Sequence, residues 1–464
     1  MSELTRRTFL GASATALAAM GAKAAPSERL RVAVIGIRGQ GGFHARLWAG
    51  MPDVEVVALC DVDERVFAGI AGQVEKKSGH KPRFEKDMRR LFEDKSIDAV
   101  SIATPNHWHI LPAIWAVQAG KDVYVEKPVS HNIWEGRRLV EAARKHGRLV
   151  QHGTYSRSNA GTREALAFLA EGKLGATTLA HGRLYRPRKP IGSFPDEAVP
   201  AGVDYDLWLG PAPARAFNKN RFHYNWHWNW DYGNGEIGNN GVYQLDTIVW
   251  GLGKTQLPKS VVSVGGRVAS DDDGQTPTVQ IALFDYGDVQ VLHESRGIDD
   301  TSSKDFKTGA VFVCEKGRLD GTTAFAKDGQ EIKRFSGGGA HLENFRNFVD
   351  AVKARKAEAL NADILGGHLA AGLCHMANIS YRLGEEQPVD AIREPFGASA
   401  AGNAAFDGLR DYLKAAGLDL AKTKLRVGRT LAFDPAKEAF ANDADANALV
   451  RREYRKPYVI PDAL

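Results

Sequence analysis

From residue 30 to about 152 the chain repeats one rhythm. Short runs rich in valine, isoleucine, leucine and alanine ("RLRVAVIG", "VEVVALCD", "DAVSIATP", "KDVYVEKP" and "RLVQHGTY") alternate with stretches whose apolar residues recur at helical spacing, such as "ERVFAGIAGQVEKKSG" and "HWHILPAIWAVQAGK". Nearly continuous apolar runs fit strands covered on both faces, and their alternation with amphipathic helices predicts βαβ units on a doubly wound parallel sheet. In such sheets ligands sit beyond the carboxyl ends of the strands, so the segments after each strand are where chemistry is expected.

After about 152 the rhythm changes. A helical stretch, "AGTREALAFLAEGKLG", leads into strand-like "TTLAHGRLY", and then "KSVVSVGGRVAS", "TVQIALFDYG", "VQVLHES" and "AVFVCEKG" follow, separated by turn signals such as "DDDGQT" and "SGGG". Consecutive strands joined by short turns predict an open, mostly antiparallel sheet in a second, α+β domain over 153–390. "HLENFRNFVDAVKAR", "LGGHLAAGLCHMANISYRLG" and "AAFDGLRDYLKAAG" read as helices, and 391–464 as a helical C-terminal tail. The fold class is therefore α/β, with an open sheet in the second domain that suggests dimers or tetramers.

Composition alters this picture at two points. A chain of 464 residues with 43% hydrophobic and 25% charged residues is ordinary globular material for two or three domains. The formal charge of +5, of which Arg6, Arg7 and Lys23 against Glu3 supply +2, is too mild to argue for nucleic acid or an anionic membrane. Cys60, Cys314 and Cys374 are too few and too scattered for a disulfide framework or a metal site, which leaves buried free thiols. "TRRTFL", the weakly apolar "GASATALAAMGA" and the small residues flanking Lys23 resemble a twin-arginine export leader over 1–24, too short and alanine-rich for a spanning helix. That resemblance implies export of the folded protein by the twin-arginine (Tat) machinery to the periplasm, with no stable membrane insertion.

The first strand runs straight into Gly36, Gly39, Gly41 and Gly42. Glycines there let backbone N–H groups approach a pyrophosphate at a helix N-terminus. The fit to GxGxxG is partial, because Arg38 holds the middle place. Asp61 ends the second strand about twenty residues on, where a carboxylate can hold ribose hydroxyls and repel a 2′-phosphate; it favours NAD, while Arg38 and Arg65 keep NADP open. Asp63 suits a helix N-cap better than Asp61 does. The third strand ends in Thr104, Pro105 and Asn106, with His107 and His109 placed to line a cofactor pocket, and the fourth ends in Glu126 and Lys127.

"VIG" with its glycine-rich turn, "ATPNHWH", "GKDVYVEKPVS" and "GNGEIGNNGVYQLD" together resemble the Gfo/Idh/MocA oxidoreductases over residues 30–385. The resemblance implies a Rossmann domain over 30–152, a C-terminal substrate domain, NAD or NADP as cofactor, a sugar or cyclitol as substrate and a catalytic role for Lys127. The family pattern would commonly place an aspartate at Asn239 and a histidine at Tyr243. Here Asn239 cannot accept a proton and becomes a contact for a substrate hydroxyl or the cofactor. Tyr243 is either an acid/base, as in some sugar-oxidising relatives, or a half-buried helix aromatic.

Upstream, "RFHYNWHWNWDYGNG" gathers His223, Trp226, His227, Trp228 and Trp230. Flat aromatic faces between polar groups suit a carbohydrate, with Trp226 and His227 as substrate contacts, and equally suit a domain interface. His223 and His227 lack a third ligand, so no metal is expected. His375, on an apolar helix stripe, reads as a core histidine. Three functions remain open. One is a sugar oxidoreductase, with Tyr243 or Lys127 removing the hydroxyl proton and its cofactor reset in place after export. The second is an NAD-dependent, redox-neutral glycosidase, and the third a non-catalytic NAD-binding or sugar-sensing protein.

Overall fold

The computed structural model describes residues 29–299, 306–339 and 341–464; the predicted leader lies outside them. Six strands, β1 (Leu30–Ile35), β2 (Val54–Cys60), β3 (Arg83–Glu85), β4 (Ala99–Ile102), β5 (Asp122–Val125) and β6 (Val150–His152), form a parallel sheet in the order β3-β2-β1-β4-β5-β6. Order reverses between β1 and β4, and the crevice there receives the turns after β1, β2 and β4. β4 and β5 are buried along their whole length, as their apolar runs required. Helices α1 (Gln40–Ala49), α2 (Phe67–Ser78), α3 (Ile110–Gln118) and α4 (Ile133–Lys145) cover the faces. Asn132 caps α4 by accepting from the Glu135 N–H at 2.9 Å and donating to the Glu135 carboxylate.

The second sheet carries β7 (Thr177–Tyr185), β8 (Ser260–Gly266), β9 (Val279–Asp285), β10 (Gln290–Arg296), β11 (Gly309–Cys314), β12 (Gly317–Asp320), β13 (Thr323–Ala326), β14 (Glu331–Arg334), β15 (Glu385–Pro388) and β16 (Lys424–Val427). Their order is β14-β13-β12-β11-β7-β10-β9-β8-β16-β15. Pairing is antiparallel except between β7 and β10. One face is covered by helix α5 (Val242–Gly251) and a long buried helix, α7 (Ile364–Arg382). Before α7, helix α6 (His341–Ala354) sends Phe345, Phe348 and Val349 back against Val32 and Val34 of the parallel sheet and Trp48 of α1. The two domains thus share helices rather than meeting at a hinge.

The expected helical tail is only partly helical. It holds helices Ala400–Ala415 and Ala444–Val450, but β16 and β17 (Leu431–Asp434) both pair with β8 and extend the second sheet. Strands of four residues carry almost no periodic signal, and only pairing with a preformed sheet edge makes them strands. The last residues return to the first domain, where Tyr458 and Ile460 join its core. All three cysteines are buried free thiols. Among the described residues no helix is long and apolar enough to cross a membrane.

Candidate active site

The glycine turn is built for close approach. Gly36 has φ +79°, and a Cβ on it would lie 2.8 Å from the Thr104 amide nitrogen; one on Gly41 would lie 1.8 Å from the Gly36 carbonyl oxygen. Gly39 stands before the first turn of α1 with open space where a side chain would be. The first N–H groups of α1 therefore face the crevice, a ready anion site. Asp61 closes the neighbouring strand, accepting from the Ile37 N–H at 2.8 Å and the Asp63 N–H at 3.0 Å. Burial raises its pKa to about 6 against those hydrogen bonds, and each oxygen keeps a lone pair for a ribose hydroxyl. Asp63 is the cap, accepting from Arg65 N–H, and it binds the Arg65 guanidinium at 2.7 Å. Arg65 is thereby committed to Asp63, while Arg38 stays exposed at the turn.

The Thr104 hydroxyl is buried without a partner at the wall of the same crevice. A glycine cradle, a crevice-lining carboxylate and an orphaned hydroxyl fit a dinucleotide. His109 lines the crevice too, yet its nitrogens lie 2.8 Å from the Thr104 carbonyl and 2.7 Å from that of Pro128, so it clamps the turn after β4 to the turn after β5. His107, expected in the pocket wall, instead meets the Trp208 carbonyl at 3.0 Å and is buried behind the wall.

At the far end, Lys127 follows β5. Its ammonium donates to the Asn239 carbonyl at 2.9 Å and sits 5.3 Å from the centre of the Tyr243 ring. Burial holds its pKa below the ordinary lysine value, opposed by the charges of Glu126 and Glu236. Burial would also raise Glu126, but a 2.9 Å bond from His44 and the Lys127 charge overcome it and hold the carboxyl near 2. Gln40 and the Lys127 N–H occupy Glu126 further, so Glu126 organises the site from behind.

Residues Ile237–Gly241 form one turn of π-helix ahead of α5, a wide turn that recurs at functional sites. It gives up the Asn239 carbonyl to Lys127 and leaves the buried Asn239 amide nitrogen without a partner. Tyr243 follows on α5, its ring 5.1 Å from that of Tyr155, and burial pushes its phenol well above the ordinary value.

Between β7 and the π-turn the chain crosses over the first domain. Tyr205, Trp208, Phe217, Phe222 and Tyr232 form a small core of their own, packed against Val62 and Trp226. Backbone bonds join Glu64 to Gly202 and Asp204 to Val62, both at 2.9 Å, and Trp108 donates to the Leu207 carbonyl at 2.9 Å. His223 reaches back to within 3.6 Å of Asp63. Further on, the His227 ring stacks on Trp226 with centroids 3.6 Å apart and an interplanar angle of 19°. The aromatic loop thus does both things its composition allowed, a core on one side and a wall on the other.

Gly36, Arg38, Gly39, Asp61, Thr104, Pro105, Asn106, His109, Glu126, Lys127, Trp226, His227, Asn239 and Tyr243 all line one continuous cavity of about 520 Å³. Gly41 lies behind it, pressed on Gly36. Tyr155 and His341 complete the wall beside Tyr243, with rings 4.0 Å apart, and sequence reasoning missed both. Tyr155 lies just past β6, at the kind of strand end where ligands gather; His341 follows a glycine run and carries no signal. His375 is a satisfied core histidine, 3.0 Å from the Ser130 hydroxyl.

Fold and site together define a two-domain, dinucleotide-binding oxidoreductase scaffold. A family model described as "Oxidoreductase family, NAD-binding Rossmann fold" matches residues 30–154, and its partner, "Oxidoreductase family, C-terminal alpha/beta domain", matches 192–411 and 405–460. The chain belongs to the Gfo/Idh/MocA oxidoreductase family, and its first domain is that family's NAD-binding Rossmann fold. It is 32% identical over 176 residues to inositol 2-dehydrogenase of Salmonella paratyphi B, covering 38% of this chain and 50% of that one. It is 30% identical over 146 residues to glycosyl hydrolase family 109 protein 1 of Akkermansia muciniphila, covering 30% of each. The chain spans half or less of the length of these curated relatives. The WlbA dehydrogenase of Bordetella pertussis, solved with NADH and UDP-GlcNAcA, shares the fold at a TM-score of 0.56 and 17% identity, covering 75% of this chain and 96% of that one.

Proposed function

We propose that this protein is a sugar or glycoside oxidoreductase whose NAD stays bound and is reset within the site. One observation carries the reading: a single cavity joins the glycine cradle and Asp61 to Lys127, with the unpartnered Asn239 amide and the stacked Trp226–His227 pair facing the space beyond. Bound there, NAD supplies a hydride acceptor. Asn239 donates to a sugar hydroxyl, the Trp226 face packs on ring C–H groups, and Lys127 and Tyr243 flank the carbinol oxygen that becomes a carbonyl. The roof of residues 200–233, tied by backbone to the ends of β2 and β4, supports cofactor retention. Retention is what Tat export to the periplasm would demand, because a cofactor loaded before export has no free pool to exchange with afterwards. A second aldose that accepts the hydride and leaves as an alditol, as in an aldose–aldose cycle, would oxidise the cofactor back and close the turnover. The open second sheet supports assembly into dimers or tetramers.

The similarity to a family 109 glycosyl hydrolase favours a second reading, in which oxidation is transient, the aglycone is eliminated, water adds and the hydride returns to the same sugar. Protein purified without added cofactor should be given chromogenic glycosides and free aldoses and its products weighed. A ketosugar or lactone balanced by a reduced acceptor supports the oxidoreductase; aglycone release with the sugar at unchanged oxidation level supports the glycosidase. Full turnover by Lys127→Ala would sink both.

A further inference from the structure

We infer that the proton acceptor for the reacting hydroxyl is Nε2 of His227, supplied by the aromatic loop in place of the histidine that the π-turn helix lacks. The inference rests on the carbohydrate reading above and names the base within it.

The two groups that sequence points to are poorly placed for the task. Lys127 spends one N–H on the Asn239 carbonyl at 2.9 Å, which fixes the amine and leaves its other N–H groups to donate toward the reacting oxygen. The phenol of Tyr243 stays protonated in its buried position, and its nearest cation lies over the ring face rather than beside the hydroxyl. Both serve as donors to the oxygen, not as acceptors of its proton.

His227 differs in geometry. Its Nδ1 lies 2.6 Å from the Tyr224 carbonyl oxygen, which can only accept, so Nδ1 carries the hydrogen and Nε2 holds a lone pair. No hydrogen-bond partner meets Nε2 among the described residues, and the ring lines the same cavity as Lys127, Asn239 and Tyr243. The ring is also fixed. Trp226 stacks on it at 3.6 Å, and Gly233 packs so closely that a Cβ would lie 2.6 Å from the His227 Cα. Burial, with the Lys127 and Arg188 charges and against the Tyr224 carbonyl, lowers the imidazole to about 3, so the resting ring is neutral, and its protonation in the step must be helped by the charge that leaves the substrate oxygen. A backbone carbonyl holding one nitrogen while the other faces substrate is the arrangement of an oriented general base.

The step balances. The substrate O–H bond breaks and its proton goes to Nε2; the C–H bond breaks and hydrogen leaves with the electron pair for the oxidised nicotinamide. The carbinol becomes a carbonyl and His227 an imidazolium. His341, the other imidazole near Tyr243, meets no carbonyl that fixes its tautomer among the described residues; it packs edge-on to Phe43 and tilted against Tyr155.

The test uses the full NAD-loaded chain. Heteronuclear NMR of histidine-labelled protein, with the His227 signal assigned through His227→Gln, should show a bare Nε2 and a protonated Nδ1; a protonated Nε2 overturns the assignment without any substrate. With myo-inositol, D-glucose and methyl glucosides as probes, single-turnover reduction of bound NAD should fall about 10²–10⁴-fold in His227→Gln at unchanged cofactor content. It should stay near wild type in His80→Gln, an exposed histidine outside the cavity lining. His227→Ala should be rescued by added imidazoles, more by the more basic ones, which a merely structural role would not produce. Hydride transfer in His227→Gln within a few-fold of wild type also overturns the assignment. If the wild-type protein reduces its NAD with none of the probes, the carbohydrate reading fails, and the tautomer measurement still decides whether His227 presents a base.

Discussion

Replacing Asp61 by asparagine keeps size and shape but removes the charge to which the selection of NAD is assigned. In the structure each carboxylate oxygen accepts one backbone N–H, from Ile37 and from Asp63. An amide has only one acceptor oxygen, so one of those N–H groups must face an NH₂, at a cost of about 1–3 kcal/mol to the fold. The ribose loses more specifically. Two hydroxyl bonds to a carboxylate are worth about 1.5–3 kcal/mol each against about 0.5–1.5 for neutral partners, so NAD binding should weaken by roughly 2–3 kcal/mol, or about 30–150-fold. NADP should not weaken in parallel, because the repulsion between the carboxylate and a 2′-phosphate disappears. The wild-type protein offers a second signature. Its free carboxyl has a pKa of about 6, and the ionised form is the better acceptor for the ribose, so binding should strengthen as pH rises through 6. About half a proton should be released per NAD near pH 6 and almost none near pH 8. Calorimetry on cofactor-stripped protein, in buffers of different ionisation enthalpy, reads both effects. NAD affinity of Asp61→Asn within threefold of wild type, or equal losses for NAD and NADP, would refute the ribose assignment.

Gly41→Ala should abolish cofactor binding while leaving the second domain's thermal transition in place, since its Cβ would fall 1.8 Å from the Gly36 carbonyl and force the turn apart; bound-nucleotide content of the purified variant measures this. Asp246→Ala should lower stability by about 3–5 kcal/mol, because it strands Arg157, which grips both carboxylate oxygens at 2.8–3.0 Å in the core; a drop of less than 1 kcal/mol in denaturant titration would contradict the burial. Glu126, held near pKa 2 from an ordinary 4.5, contributes stability that is complete above pH 4.5 and lost as pH falls toward 2. Glu126→Gln should therefore flatten the stability profile across that window by about 3 kcal/mol, as read by chemical denaturation at stepped pH.

The sheets were legible to different depths. β1, β2, β4 and β5 show in the sequence because strands covered on both faces must be apolar throughout, and the residues after them were found for the same topological reason. β7 to β11 show as well, being six to nine residues long. β12 to β17 do not, since strands of about four residues gain their structure from a neighbour's edge. At the site, Gly36, Asp61, Lys127 and Asn239 could be named because their chemistry is tied to position along a motif. Tyr155 and His341 could not, because helix α6 brings His341 to the wall only after packing Phe345 and Phe348 on the distant parallel sheet. The π-turn was hidden too: nothing in "GEIGNNGVYQ" marks a turn one residue wider than an α-helix, and Asn239 lies within that turn on the cavity wall.

The C-terminal stretch gives assembly an order. Arg452 donates to the Asp231 carbonyl across 221 positions and Arg455 to the Gly210 carbonyl across 245, fastening both flanks of the segment that carries His227. During synthesis these arginines emerge after every other part of the pocket has been made. A nascent chain can complete its parallel strands early, yet the wall opposite the nicotinamide end must wait for the closing residues, and contacts so distant in sequence form slowly. Until Arg452 and Arg455 are in place, the segment that carries His227 lacks two of the bonds that hold its flanks.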